Sequence, residues 1–157
     1  MASDPPADSF EIRAATEADS AELAWLEGLA REALADVRGG AQLLAEQPPV
    51  GDWTTPIAHD GELVWVATID GVVLGYLQLA LPTPASPTGR VLQVFVHPEA
   101  RELGFGDEML AAAIDATRAA GGDTIESFAL PGDRETKNLF ERAAVTARKL
   151  IVSKRLG

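Results

Sequence analysis

Cysteine is absent from these 157 residues. That removes disulfides, thiolate metal sites and a cysteine nucleophile in one step. Histidine is nearly as scarce. His59 and His97 are the two present, neither has a partner at ligand spacing, and no metal site is expected. Tyrosine occurs once, at Tyr76. No apolar run approaches the roughly 18 residues that a membrane span needs, so no membrane partner is expected. Basic side chains are few, 13 against 24 acidic, for a net charge of −11. A nucleic-acid binder would carry a basic footprint, and this chain carries the reverse. The acidity favours encounter with a cationic small molecule or basic peptide. Taken alone it says no more than solubility.

What is present is the composition of one folded domain, 46% hydrophobic and 24% charged. The first nine residues, "MASDPPADS", are polar and contain proline. They lack the regions of a signal peptide, read as a loose tail, and leave a domain over 10–157. The expected location is the cytoplasm.

"SFEIRAAT" has strand character, and "ADSAELAWLEGLAREALADV" reads as a helix, with Asp19 as its cap and Glu22 three residues on. Leu23, Leu26, Ala30 and Ala33 recur at helical spacing, and Trp25 and Leu29 widen the stripe. "AQLLAEQ" is a further short helix. Gly39 to Gly61 is otherwise connection, long enough to suggest a substrate lid. "ELVWVATI" and "VVLGYLQLAL" flank Asp70-Gly71, the chemistry of a tight hairpin turn. "RVLQVFVH" is a strand, and the helix after it carries Gly106, Leu110, Ala113, Ile114 and Thr117 along one face. "DTIESFALP" is a strand, "DRETKNLFERAAV" a helix and "ARKLIVSKRL" a closing strand. The expected fold is α/β, with a mixed, mostly antiparallel sheet of about six to seven strands and about four helices.

The distinctive stretch is "VFVHPEARELGFGDEML", in which a strand meets a helix through a turn with glycines at 104 and 106. Such a turn is an anion site in waiting. Backbone N–H groups of the turn and first helical turn have no partner, and the helix dipole adds partial positive charge. Gly104 and Gly106 permit close approach of a ligand, and Arg101 adds a formal charge. A mononucleotide P-loop needs Lys then Ser or Thr after the last glycine, where Asp107-Glu108 stand. A dinucleotide fingerprint needs three glycines, and two are present. "RELGFG" fits R-x-x-G-x-G. On those six residues a phosphate site and an ordinary strand-to-helix turn stand level.

With its context, "RVLQVFVHPEARELGFGDEMLAAAI" resembles the acetyl-CoA-binding segment of the GNAT superfamily of acyl-CoA-dependent N-acetyltransferases. "FEIRAATEADSAELAWLE" resembles that family's first strand and helix, and "ELVWVATIDGVVLGYLQLAL" its central hairpin. "DRETKNLFERAAVTARKLIVSKRL" resembles its last helix and closing strand. The resemblance implies that Val94, Phe95 and Val96 offer backbone groups to the pantetheine arm, one N–H polarising the thioester carbonyl. It implies that Arg101, Glu102, Leu103, Gly104, Phe105, Gly106 and Asp107 hold the pyrophosphate. It places Asp133, Asn138 and Phe140 of the last helix beside the cofactor. Arg134 and Lys137 could meet the remaining phosphate, although solvated surface charge is the simpler explanation for each.

Two departures stand out. Family members often use a last-helix tyrosine as acid, where this chain has Phe140, and Asp133 matches the asparagine usual seven residues earlier. A thiol of pKa ~8.5 leaves without much help, so a missing acid slows turnover without abolishing it. For the base, Glu126 is the first candidate, with Glu62 and Asp133 behind it, each also explicable as a solvated acid. Tyr76 could line the acceptor site or simply be a half-buried strand residue. His97 reads as structural and His59 as loop.

The expected activity is transfer of an acetyl group from acetyl-CoA to a primary amine of a small molecule or protein. The alternative is an acyl-CoA-binding sensor with little turnover, and a third reading gives the turn a different phosphate ligand. A homodimer is the expected assembly if the chain associates, two-fold pairs being commonest.

Overall fold

Asp70 and Gly71 both sit in the left-handed region, at φ 50 and 81, as a two-residue hairpin turn between twisted strands requires. That turn starts the sheet. In a computed structural model that describes residues 9–157, β2 (Glu62–Ile69) and β3 (Val72–Ala80) pair antiparallel from Ile69↔Val72 to Glu62↔Ala80. β1 (Phe10–Ala14) lies antiparallel on the outer side of β2, and β4 (Thr88–Val96) antiparallel to β3. β5 (Thr124–Glu126) is parallel to β4, and the sheet order is β1-β2-β3-β4-β5. Apart from Ser9, the tail expected at 1–9 lies outside the described residues.

Strand alternation puts successive side chains on opposite faces, and each face has its own helices. On one, Ala67, Leu77, Leu79 and Val91 meet Phe105, Met109, Leu110 and Ala113 of α4 (Phe105–Ala119) and Leu139 and Phe140 of α5 (Arg134–Arg142). On the other, Val64, Val66, Val73 and Tyr76 meet Leu23 and Leu26 of α1 (Ser20–Leu34) together with Trp53. Truncating a buried leucine in such a layer costs about 2–5 kcal/mol.

The α/β class and the mixed, mostly antiparallel sheet are as expected, with five strands in place of six or seven and five α-helices in place of four among the described residues. The missing strand is the closing one. Residues 147–156 pair with nothing described, and Leu150, Ile151, Val152 and Leu156 are at least 84% exposed. The apolar pattern of a strand is there, but a strand also needs a partner, which local sequence cannot supply.

The connection from Gly39 to Gly61 is more ordered than a lid. It contains α2 (Gly40–Glu46), as expected, and an unforeseen α3 (Thr54–Ala58). Trp53 is wholly buried. The Glu27 carboxylate accepts from the backbone N–H of Val50 (3.0 Å) and Gly51 (3.1 Å). Arg31 donates to the carbonyls of Gln47 and Leu44. These bonds make the connection a fixed wall.

Three smaller expectations also change. Asp19 makes no capping bond to α1, because its carboxylate is held by both terminal nitrogens of Arg13 (2.7 and 2.8 Å) and by the Thr16 N–H. Glu22 instead accepts from the Val73 N–H, tying α1 to the hairpin. Trp25 is 57% exposed and stacks on His97, while the buried stripe it was expected to widen includes Glu27.

Candidate functional site

β4 and β5 begin as partners and then separate. Their pairing runs from Thr88↔Thr124 to Arg90↔Glu126 and stops, with one further tie from the Ser127 hydroxyl to the Val91 carbonyl at 2.8 Å. On its other side β4 pairs Val91 with Leu79 and Gln93 with Gln78, so Leu92 is an extra residue, a bulge. A bulge bends its strand and sharpens the local twist. Here it falls where pairing to β5 ends, and no described strand pairs with the outer side of Leu92–Val96. The result is a cleft of about 710 Å³.

One end of the cleft is the turn into α4. Gly104 is the N-cap, at φ 84, and no side chain caps the helix. The first N–H groups of α4 therefore lack a side-chain acceptor and carry the positive end of its dipole. A β-carbon on Gly104 would meet no heavy atom within 4 Å, so the glycine keeps open a space that a ligand can enter. Gly106 serves a different purpose. A β-carbon there would lie 3.3 Å from Leu139 Cδ1, so this glycine lets α5 pack against α4. Glu102 also turns left-handed, at φ 70, a conformation that costs a non-glycine residue about 1–2 kcal/mol. Asp107 would repel a phosphate, but Arg142 grips it from α5 at 2.8 and 3.3 Å. That contact raises the Arg142 pKa above its ordinary value. Arg101 and Arg134 also line this end.

In the middle of the cleft are Gln93 and the open edge Val94–Val96, with Tyr76 wholly buried behind Gln93. Tyr76 donates to Gln93 Oε1 (2.9 Å), and Gln93 Nε2 donates to Glu27 Oε2 (2.9 Å) and Gln78 Oε1 (3.2 Å). Burial, with the nearby Glu27 charge behind it, pushes the Tyr76 hydroxyl far above the usual phenol range. Tyr76 is therefore a fixed donor at neutral pH.

The far end is built by α1, α2 and the segment after β5. A β-carbon on Gly132 would come within 3.1 Å of Val37 Cγ1, and one on Gly39 within 3.4 Å of Leu130 Cδ2, so the two walls touch. From sequence α2 fell within the 39–61 connection suggested as a substrate lid, while α1 was not flagged as site. Its residues are ordinary helical leucines and alanines, and only the fold turns them toward β4.

Of the residues expected at the site, the cleft is lined by Tyr76, Val94, Phe95, Val96, Arg101, Glu102, Gly104, Phe105, Gly106, Asp107 and Asp133. Asp133 is also the N-cap of α5, accepting from the Thr136 N–H and hydroxyl. Leu103, Glu126, Asn138 and Phe140 do not line it. Glu126 stands on β5 paired with Arg90 at 3.1 Å, with half its side chain in water. Phe140 is in the α4–α5 core, where a phenyl ring is at home and a hydroxyl would need a partner. Of the other candidates, Glu62 accepts from Gln78, while His97 accepts from the Glu99 N–H and His59 from the Gly61 N–H. Among the described residues no three His, Cys, Asp or Glu side chains gather to hold a metal ion. No described helix is long and apolar enough to cross a membrane.

A splayed parallel strand pair, a bulge at the splay and an uncapped, glycine-led helix meet in this one cleft. Comparison with known proteins gives the same frame. The sequence model of the Acetyltransferase (GNAT) family matches residues 23–144. The chain belongs to the GNAT acetyltransferase family. No curated protein sequence matches it. Among solved structures, a tetramutant of the BH1408 protein from Bacillus halodurans is similar at a TM-score of 0.76 and 19% identity, covering 93% of this chain and 99% of that one. The aminoglycoside N-acetyltransferase AAC(6')-Iy in complex with CoA is similar at 0.71 and 18%, covering 97% of each chain. The ribosomal-protein-alanine N-acetyltransferase from Brucella melitensis biovar Abortus 2308 follows at 0.68 and 20%, covering 94% and 99%. At such identities the likeness is one of fold.

Proposed function

We propose that this protein transfers an acetyl group from acetyl-CoA to a primary amine by direct attack. The observation that carries the reading is the bulge at Leu92, where the β4 edge opens into the same cleft as the uncapped start of α4. Those two features suit a thioester and a pyrophosphate at opposite ends of one arm. The pyrophosphate lies against the N–H groups of Phe105, Gly106 and Asp107, with Arg101, Arg134 and Arg142 offering charge. The pantetheine runs along Leu92–Val96, and a backbone N–H of that edge donates to the thioester carbonyl. The amine nitrogen forms the new C–N bond as the C–S bond breaks. The electron pair leaves on the CoA sulfur, and the amine gives up one proton. With no cysteine in the chain, no acyl-thioester intermediate on the protein enters.

Neither Glu126 nor Phe140 takes part in this scheme. Tyr76 holds Gln93 and shapes the centre of the cleft. A thiolate leaves without a strong acid, so the absent hydroxyl at position 140 is a loss of rate.

A second reading, acyl-CoA binding without turnover, has one observation in its favour. No imidazole lines the cleft, and the carboxylates that do stand in the α4 turn and at the start of α5. Acetyl-CoA titration by calorimetry and CoA-thiol release with a panel of primary amines separate the two. Binding with amine-dependent release supports the transferase, and binding with release no faster than hydrolysis supports the sensor. No binding at millimolar acetyl-CoA contradicts both.

A further inference from the structure

The cleft carries charge at the α4 turn and leucines at the α1–α2 wall. Among the described residues its lining carboxylates are Glu102, Asp107, Asp133 and Glu135. Asp133 directly follows the wall that meets Val37, its N–H bonded to the Leu130 carbonyl, and its carboxylate is held by Thr136. Asp107 is likewise engaged, by Arg142. The opposite end presents Leu34, Leu43 and Leu44 on one side and Leu92, Phe128 and Leu130 on the other. Leu92 is 37% exposed and Phe128 46%, an unusual amount of large apolar surface to hold in a concave site. The ionisable side chain at this end is a cation, Arg31, fixed by the Gln47 and Leu44 carbonyls. The nearest buried acid, Glu27, does not line the cleft, and its two oxygens are taken by Val50, Gly51 and Gln93.

We propose that the acceptor is a primary amine carried on an apolar body with no second positive charge, seated among Leu34, Leu43, Leu44, Leu92 and Phe128. This rests on the acyl-transfer reading above and adds the class of acceptor. A second ammonium would lose its water among leucines and face Arg31, and among the described residues the carboxylate beside this wall is Asp133, already held by Thr136, so the added charge would be left buried and unpaired. The same surroundings solve the problem of the missing base. An apolar wall disfavours the ammonium form, so the amine reaches the thioester as its free base, having given its proton to water at the mouth. The nitrogen then forms the C–N bond, the C–S bond breaks, and the proton shed on bond formation is matched by the one the CoA thiolate takes up from solvent. The fold is shared with aminoglycoside acetyltransferases. The far wall here is the wrong chemistry for a polycation.

The test compares alkylamines from propylamine to hexylamine with hexamethylenediamine and an aminoglycoside, reading CoA release. The expected kcat/KM rises about fourfold per added methylene, and hexylamine exceeds hexamethylenediamine by about 100-fold or more. Leu44→Glu should narrow that ratio at least tenfold while acetyl-CoA binding by calorimetry stays within about twofold. Leu34→Glu is the second variant if the first does not fold. A flat chain-length series, or a diamine or aminoglycoside that matches hexylamine, overturns the proposal. If no amine gives release, the same amines are titrated into protein saturated with CoA. Chain-length-dependent binding that Leu44→Glu weakens keeps the acceptor class and removes the transfer reading, and no amine binding removes the proposal itself.

Discussion

The two ends of the cleft are made of different materials. The α4 turn offers backbone, in the form of N–H groups left unpaired because Gly104 leads the helix and no side chain caps it. The α1–α2 end offers side chains, leucines held in place by Glu27, Arg31 and the buried Trp53. Backbone recognition is local and tolerant of side-chain change, so it is written in a few consecutive residues. Side-chain recognition depends on what the fold brings together from residues 34, 44, 92 and 128. One end is suited to a donor common to a whole family, the other to an acceptor particular to one member.

That contrast can be broken at either end. The largest effect is expected from Gly104→Trp. An indole in the open space at φ 84 removes at least two hydrogen bonds to charged phosphate, about 1.5–3 kcal/mol each, so acetyl-CoA binding by calorimetry should weaken about 100-fold or more. The variant should remain folded in a thermal melt, with a loss of about 1–2 kcal/mol for a side chain at φ 84, since nothing is within 4 Å for the ring to strike at its base.

Glu27→Ala tests the other end. It leaves the Val50 and Gly51 N–H groups without their acceptor and Gln93 Nε2 with Gln78 alone, and should cost about 2–4 kcal/mol in denaturant unfolding. Acetyl-CoA affinity should change little, because the α4 turn is untouched. A larger loss of affinity than of stability would mean that the two ends are one unit.

The smallest effects belong to Tyr76 in between. Tyr76→Phe removes one hydrogen bond to Gln93, worth about 1 kcal/mol. Since Tyr76 is the sole tyrosine, phenolate absorbance reports it alone. Its folded-state pKa lies above the ordinary 10.0, so its contribution to stability is complete below pH 10.0 and is lost as pH rises toward the folded-state value. No phenolate should form at pH 10.0 while the fold persists. Titration at the ordinary value in folded protein would make Tyr76 solvent-reachable and return it to the list of acid–base groups.

The same contrast explains what could be read from sequence. Asp70-Gly71 announced the hairpin, and the R-x-x-G-x-G turn announced the α4 end, because both are short-range backbone requirements. Gly106 was read as room for a ligand and proves to be room for Leu139, a contact 33 residues away in the chain. Glu27 is 2% exposed, an acid of α1 that the sequence does not single out. Trp53 looked like part of a loose connection and is its anchor. Phe140 was placed beside the cofactor from its position in a pattern, yet the turn of α5 carries it into the core. Residues 147–156 have strand composition without a strand partner. In each case the missing information is which distant segment stands opposite, and a single sequence does not carry it.

Joint binding of acyl-CoA by the open β4 edge and the α4 turn is tested most directly by the map of backbone amide shifts on adding acetyl-CoA to the full chain in solution. The largest changes are expected at Val94–Val96 and at Gly104–Asp107, with smaller ones along α1 and α2. Changes confined to other elements, or none at millimolar acetyl-CoA, would contradict joint binding.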